Sequence, residues 1–201
     1  LSTNTWTHVA VVREGTGSNQ FKIYYNGTLV YTGTESNNVT STNTLYIAEQ
    51  DVSAAGYFNG IISNLRIVKG AAVYTGAFTP STTPLTTTSQ GASATTVSLL
   101  TCQSNKLVDN SSNVYTITAS GTPKVVTQNP WQINTGISYY FDGTGDYLTT
   151  LYNAAYAIEA CDFTIECWVY WTGINAGGNV VQKDGVAGTS YPSYQLVLGT
   201  N

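Results

Sequence analysis

Carboxylates and aromatic rings share one face of the strand that residues 162–171, DFTIECWVYW, are predicted to form. Because side chains alternate between the two faces of a strand, Asp162, Glu166, Trp168 and Tyr170 point the same way. Two carboxyl groups can catalyse glycoside hydrolysis, but these two lie about 13 Å apart along an ideal strand, too far for a typical pair. We therefore predict no catalytic residue.

The same face is better suited to binding a carbohydrate than to cleaving it. Trp168 and Tyr170 could stack on pyranose rings, while Glu166 and Asp162 could accept hydrogen bonds from sugar hydroxyls. The alternative is that the rings pack beneath a loop or a neighbouring subunit. Full burial of Trp168 in an assembled structure would exclude the sugar site.

The three cysteines do not form an obvious framework. Cys161 and Cys167 are separated by about 20 Å along one strand, so they cannot form a disulfide with each other. Cys102 could pair with either one only if the fold brings them together, and buried free thiols are expected. The N-glycosylation pattern occurs at three asparagines: Asn26, Asn38 and Asn110.

Three basic side chains lie in or near predicted strands. The single histidine, His8, is expected to be a packed or hydrogen-bonded core residue, since no acid-base partner lies near it in the sequence. Arg66 and Lys69 are expected to be solvated charges near a strand end. With one histidine and no Cys-x-x-Cys pattern, no zinc site is expected.

Composition points to an extracellular β protein. Of 201 residues, 9% are charged and 42% apolar, and the net charge is −4. Ordinary soluble domains carry about 25% charged residues; here Thr, Ser, Asn and Gly take their place. The seven Lys and Arg are scattered singly, so no nucleic-acid surface is predicted. No apolar run approaches about 18 residues, so membrane insertion is not expected.

Short strands separated by turn residues dominate the pattern. Asn26 and Gly27 lie between two alternating runs, which predicts a hairpin with a type I′ turn. Many such strands at regular spacing predict an all-β, antiparallel sandwich. Residues 78–96, rich in Ser, Thr and Pro, are predicted to be a linker or an extended surface connection.

Several segments resemble a known family. The strings SLLTCQSNKLVDNSSNVYTITASG, FDGTGDYL and FTIECWVYW are similar to the first part of laminin G-like domains, which have the concanavalin A-like jelly-roll fold. TWTHVAVVREG, FKIYYNGTLV and YFNGIISNLRIVKGAAVYTGAFTP resemble the second part of such a domain. The same segments resemble tandem repeats of large structural proteins from marine phages and environmental bacteria. The resemblance implies a jelly-roll sandwich, a fold that serves lectins, glycosidases, adhesion modules and structural units.

The two parts occur in permuted order relative to the family. Residues 1–85 correspond to the C-terminal half of a sandwich, 86–96 to a Ser/Thr-rich linker and 97–201 to the N-terminal half. The chain could be cut from a tandem array, could be completed by copies of itself head to tail, or could hold both halves in one permuted sandwich. Either half alone would expose apolar faces and strand edges.

The resemblance also bears on metals and function. Calcium is common in this superfamily, and Asp109, Asp142 and Asp146 could supply oxygen ligands; the alternative is that they form Asx turns. No other cofactor is expected, and the Glu-x-Asp-x-x-Glu pattern of glycosidases on related sandwiches is absent.

The sequence therefore predicts a non-enzymatic structural or adhesive repeat unit of an extracellular, cell-surface or virion assembly, such as a fibre, filament or decoration protein. Its expected partners are copies of itself and cell-surface glycans. The alternative is a lectin-like carbohydrate-binding module.

Overall fold

The computed structural model describes residues 1–38, 40–49, 56–132, 134, 136–173, 178–183 and 193–199. These residues form mostly strands and turns, with single-turn 3₁₀ helices at Ser89–Gly91 and Ala154–Tyr156. The strands in chain order are β1 (Trp6–Arg13), β2 (Phe21–Tyr25), β3 (Thr28–Gly33), β4 (Leu45–Ile47), β5 (Asn59–Lys69), β6 (Val97–Thr101), β7 (Thr118–Ser120), β8 (Lys124–Val126), β9 (Ser138–Asp142), β10 (Tyr147–Thr150), β11 (Phe163–Trp171), β12 (Gly178–Lys183) and β13 (Tyr194–Leu198).

Two antiparallel sheets form a sandwich. The larger sheet has the order β3-β2-β1-β11-β5-β9-β8, and β6 also pairs with β5. The smaller sheet has the order β13-β12-β4-β10-β7. The predicted all-β antiparallel sandwich is confirmed.

The centre of the larger sheet joins strands that are distant in the sequence. β1 pairs with β11 over eight residues, from Trp6 opposite Tyr170 to Arg13 opposite Phe163. On its other side β11 pairs with β5. Strands from residues 1–85 and from residues 97–201 therefore alternate in one sheet of one chain. The division into halves at residues 85 and 97 stays a sequence-based prediction.

The main core lies between the two sheets. The apolar face predicted for β11 is confirmed, since Phe163, Ile165, Cys167, Val169 and Trp171 all belong to this core. The smaller sheet contributes apolar residues from four strands: Leu45, Ile47, Leu148, Val180, Val181, Leu196 and Leu198.

The cysteines are free thiols in this fold, as expected. Cys102 and Cys167 are buried, and Cys161 is half-buried. Burial raises the pKa of the Cys102 thiol to about 12, so this thiol is protonated and unreactive at neutral pH.

The β2–β3 hairpin turns as predicted. Asn26 has a φ of 48° and Gly27 a φ of 78°, the positive values that a type I′ turn requires at both central positions. Tyr25 pairs with Thr28 directly across the turn.

Residues 70–92, here called the covering segment, cross the outer face of the larger sheet, the face turned away from the main core. The Phe78 N–H donates to Gly27 O (3.0 Å), and the Leu85 N–H donates to the Asn64 side-chain oxygen (2.8 Å). Two small apolar clusters lie beneath the segment: Tyr74 with Ala10, Val12 and Tyr24, and Leu85 with Val68, Ala92, Val97 and Leu100.

Among the described residues, no helix is long and apolar enough to cross a membrane.

Candidate functional site

Glu166 occupies the middle of the outer face of the larger sheet. It lies opposite Ala10 of β1 on one side and Arg66 of β5 on the other. Its side chain is fully buried, and both carboxylate oxygens have partners. Oε1 accepts from Arg66 Nε (2.8 Å) and Nη2 (2.5 Å), and Oε2 accepts from the Tyr74 hydroxyl (2.7 Å) and lies 3.1 Å from His8 Nε2.

Arg66 connects this carboxylate to the covering segment. Its Nη1 donates to Thr86 O (2.8 Å), Ser89 O (2.9 Å) and Ser89 Oγ (3.2 Å). The side chain is fully buried, so the expectation that Arg66 is a solvated strand-end charge is wrong. A buried guanidinium requires a counter-charge and acceptors for its N–H groups, and Glu166 and these carbonyls supply both. Lys69, by contrast, keeps a partly exposed ammonium group 3.7 Å from Glu159.

His8 is fully buried, so the expectation of a packed, hydrogen-bonded residue is confirmed. Its Nε2 lies 3.1 Å from Glu166 Oε2, and because a carboxylate only accepts hydrogen bonds, this nitrogen is the donor. Burial acts to raise the pKa of Glu166, but the hydrogen bond from His8, the charge of Arg66 and the Tyr74 hydroxyl outweigh it, and the pKa is lowered. Burial and the same carboxylate raise the pKa of Tyr74. Glu166 therefore remains an anion fixed among donors.

The ring predicted to stack on sugar is packed against the chain itself. Trp168 is half-buried, with its ring 5.2 Å from His8 and 6.1 Å from Trp131 in edge-to-face contacts. Trp131 is held there because its Nε1 donates to Ser81 O of the covering segment (2.8 Å). Asp162 lies at the opposite end of the face, where its carbonyl accepts from the Gly70 N–H (2.7 Å). The structure therefore does not gather the four predicted residues into one open site.

Tyr170 instead lines a cleft at the uncovered end of the same face. Its ring lies 5.7 Å from that of Trp6, edge to face, since the two residues pair across β1 and β11. The cleft has a volume of about 670 Å³. The described residues of its lining carry aromatic, amide and hydroxyl side chains, and none of these residues is charged: Asn4, Thr5, Trp6, Thr127, Gln128, Asn129, Gln132, Asn134 and Tyr170.

The far wall of the cleft is a loop shaped by Asn129. This residue is buried, and its Nδ2 donates to Thr127 O (2.8 Å) while its Oδ1 accepts from the Trp131 N–H (3.1 Å). Trp131 in turn contacts Trp168, so the loop is fastened to the sheet. Gln128, Gln132 and Asn134 are exposed on this fixed loop and present their amides to solvent at the cleft.

Asp109 holds its own loop. It is buried, and Oδ1 accepts from Leu100 N (3.1 Å) and Ser111 N (2.8 Å). Oδ2 accepts from Ser111 Oγ (2.8 Å) and Tyr115 N (3.0 Å). Four donors already occupy the oxygens that a calcium ion would need.

Asp142 and Asp146 also form turns. Asp146 is buried and accepts from Thr122 N (2.6 Å), and Asp142 accepts from Thr144 N (2.7 Å). Among the described residues, no group of three or more His, Cys, Asp or Glu could hold a metal ion. These residues do not fit a calcium site built from carboxylates, and calcium binding stays an untested prediction.

The three glycosylation-pattern asparagines are all exposed. Asn26 also has a structural role, since its side-chain oxygen accepts from the His8 N–H (2.9 Å). Modification of Asn26, Asn38 or Asn110 stays a prediction.

Two groups of residues were missed by sequence reasoning. The partners of Glu166 could not be found, because the order β1-β11-β5 brings together positions 100 and 158 residues apart. One wall of the cleft could have been noticed in the sequence, because TQNPWQIN at residues 127–134 combines four amide side chains with a tryptophan. Trp6 could be placed beside that loop only once the strand order was known.

The first part of the chain matches a family model. Residues 1–75 match the laminin G-like model described as the concanavalin A-like lectin/glucanases superfamily. Comparison with curated proteins and with solved structures gave no significant match. Laminin G-like domains are generally non-catalytic and typically extracellular. The chain is thus an all-β antiparallel sandwich, consistent with a concanavalin A-like fold, and its residues 1–75 are similar to the laminin G-like family.

Proposed function

We propose that the chain is a non-enzymatic structural and adhesive unit of an extracellular, cell-surface or virion assembly, in which its partners are copies of itself. The observation that carries this proposal is that the outer face of the larger sheet is covered by the chain itself. The covering segment lies on this face, and the carboxylate at its centre, Glu166, has no exposed surface.

Glycoside hydrolysis requires two carboxyl groups that reach the same glycosidic bond, with one free to exchange a proton. Both oxygens of Glu166 are engaged by Arg66, Tyr74 and His8. Asp162 lies four residues away on the same strand face, about 13 Å for an ideal strand. Exposing Glu166 would require displacement of the covering segment and loss of its buried hydrogen bonds. The network is therefore suited to holding the covering segment in place.

We expect no hydrolysis of neutral or acidic polysaccharides by the wild-type chain, measured as the release of reducing ends over a day. Glu166→Gln and Asp162→Asn serve as matched variants, and neither should change the background rate. Turnover by the wild type that is lost in a variant whose melting curve shows it to be folded at the assay temperature would show that the face is catalytic and would contradict the proposed function.

A second candidate function, saccharide binding, is favoured by the cleft beside Trp6 and Tyr170. Amide and hydroxyl groups can donate to and accept from sugar hydroxyls, and aromatic rings pack on the apolar faces of pyranose rings. Because the lining residues that the structure describes carry no charge, a neutral oligosaccharide is favoured over a uronic acid or sulfated chain. Such binding would serve adhesion to a glycan-bearing surface.

We expect Tyr170→Ala to weaken binding of a neutral oligosaccharide about fivefold, because one aromatic contact contributes about 1 kcal/mol. Gln132→Ala, on the exposed loop, should weaken it less. A glycan array identifies the ligand, and titration calorimetry measures its affinity for each variant. Tyr152→Ala is the control, since Tyr152 is a partly exposed tyrosine that does not line the cleft. Equal affinities for Tyr170→Ala and Tyr152→Ala would exclude the cleft as the binding site.

A further inference from the structure

Strand β3 is an unusually exposed sheet edge. It ends the larger sheet, and all six residues, TLVYTG, are exposed or half-buried. Three consecutive large apolar side chains are largely accessible: Leu29 at 44%, Val30 at 49% and Tyr31 at 53%. Within the described residues, β3 pairs only with β2. Its outer edge therefore presents backbone N–H and C=O groups beside an apolar surface.

Two of the other edge strands, β7 and β8, show features by which proteins prevent edge pairing. β8, at the opposite end of the larger sheet, has three residues and begins with Lys124. β7, at one end of the smaller sheet, also has three residues. Short edge strands and edge lysines are standard protections against association, and β3 has neither a charge nor a short length.

The core side of this region is also incompletely covered. Phe21, Ile23 and Tyr25 of β2 are half-buried, although they share the inner face of the sheet with β1 residues of the main core. A small apolar cavity of about 60 Å³ opens nearby, between Phe21 and Val11 of the larger sheet and Tyr194 and Leu196 of β13. The apolar surface at the β3 edge is therefore continuous with the rim of the core.

We infer that β3 pairs antiparallel with β3 of a second copy about a two-fold axis, which extends the larger sheet across two chains. A copy of this chain fits the edge because β3 carries no charge, so identical strands meet without like-charge repulsion. Each residue of one β3 that faces a given residue of the other is matched by the reverse contact, and the three exposed apolar side chains of each chain are partly covered. This inference rests on the proposed association of copies and names its surface.

The size of the contact sets its strength. Six residues span about 20 Å of strand, which buries less than the roughly 800 Å² per partner of a standard interface. Isolated copies should therefore associate with a dissociation constant in the micromolar range or weaker. Within an array of copies, several such contacts act together, and the effective affinity rises.

Sedimentation velocity over two decades of protein concentration tests this surface. The wild type should pass from monomer to dimer as concentration rises, and Val30→Lys should raise the dissociation constant at least tenfold, because it places two lysines near the two-fold axis of the paired strands, and edge lysines oppose strand pairing. Val125→Lys is the matched control, since Val125 is a similarly exposed valine, at 44%, on the opposite edge strand β8. It should dimerise as the wild type does.

The other outcomes overturn the inference. A wild type that stays monomeric, a dimer unaffected by Val30→Lys, a dimer lost with Val125→Lys, or open-ended polymers in place of dimers would each do so. Melting temperatures of both variants verify that they are folded. The polysaccharide-hydrolysis assay tests the proposed function separately, so failure at β3 and failure of that proposal give different results.

Discussion

Glu166→Gln is expected to lower the free energy of unfolding by about 3–5 kcal/mol, the range observed when one partner of a buried ion pair is removed. The substitution preserves size but leaves Arg66 fully buried without its counter-charge. It also replaces an acceptor of hydrogen bonds from Tyr74 and His8 with an amide that cannot accept at every position. Urea denaturation followed by tryptophan fluorescence measures the change.

Asp162→Asn is the matched control for this prediction. Asp162 lies on the same face, but it is half-buried, and among the described residues its carboxylate forms no hydrogen bond or ion pair and acts on Arg13 through its charge alone, so its replacement should cost less than about 1 kcal/mol. The double variant Glu166→Gln with Arg66→Met should recover part of the loss, because removing both charges avoids an unpaired buried ion. A loss below about 1 kcal/mol for Glu166→Gln alone would contradict the role assigned to the network.

Acid provides a second readout of the same carboxylate. The pKa of Glu166 is lower in the folded chain than its usual value of 4.5, so the anion stabilises the fold at any pH above that value. This contribution is lost as pH falls through the folded pKa. The difference in unfolding free energy between wild type and Glu166→Gln should therefore be constant near neutral pH and shrink in acid. If the difference in unfolding free energy between the two proteins grew in acid instead, the inference that the fold lowers the pKa of Glu166 would be wrong.

Local sequence patterns were sufficient for the individual strands. The alternation in β11 identified its core face, and Asn26–Gly27 identified a hairpin, because both depend only on neighbouring residues. The order of the strands within each sheet could not be predicted from such patterns. Arg66 was misassigned to solvent because nothing near it in the sequence shows that β5 lies beside β11 and beneath the covering segment.

The position of the covering segment also could not be predicted from local sequence. Ser, Thr and Pro in residues 78–96 indicate a linker, since they rarely build a core. Much of this stretch is held instead by hydrogen bonds with buried sheet residues, since Arg66 donates to Thr86 O and Asn64 Oδ1 accepts from the Leu85 N–H. An extended, polar segment can pack on a sheet when the sheet supplies partners for its backbone groups. These sheet residues hold the covering segment over Glu166, whereas Tyr170 lies beyond the segment and lines the cleft.

Gly27→Ala is expected to destabilise the fold by about 2–5 kcal/mol, and the loss has two physical parts. The residue has a φ of 78°, a conformation that costs an L-residue about 1–2 kcal/mol. A Cβ at this position would also lie 1.7 Å from Phe78 O, so the hairpin or the covering segment must move. Displacement of packed backbone adds about 1–3 kcal/mol.

Gly70→Ala is the control that separates the conformational cost of a positive φ from the steric cost of the added Cβ. Thermal or urea denaturation measures the loss of stability in both variants. Gly70 has a φ of 86°, but an added Cβ would meet nothing within 4 Å, so only the conformational cost of about 1–2 kcal/mol should appear. Equal losses in the two variants would show that the Gly27–Phe78 contact is unimportant.

The Gly27→Ala variant should also be coupled to the buried carboxylate. Phe78 stacks on Tyr74 with ring centroids 3.5 Å apart, and Tyr74 donates to Glu166. A shift of Phe78 therefore disturbs the network that Glu166→Gln removes, and the two substitutions together should cost less than their sum. Strict additivity would mean that the hairpin and the carboxylate hold the covering segment independently.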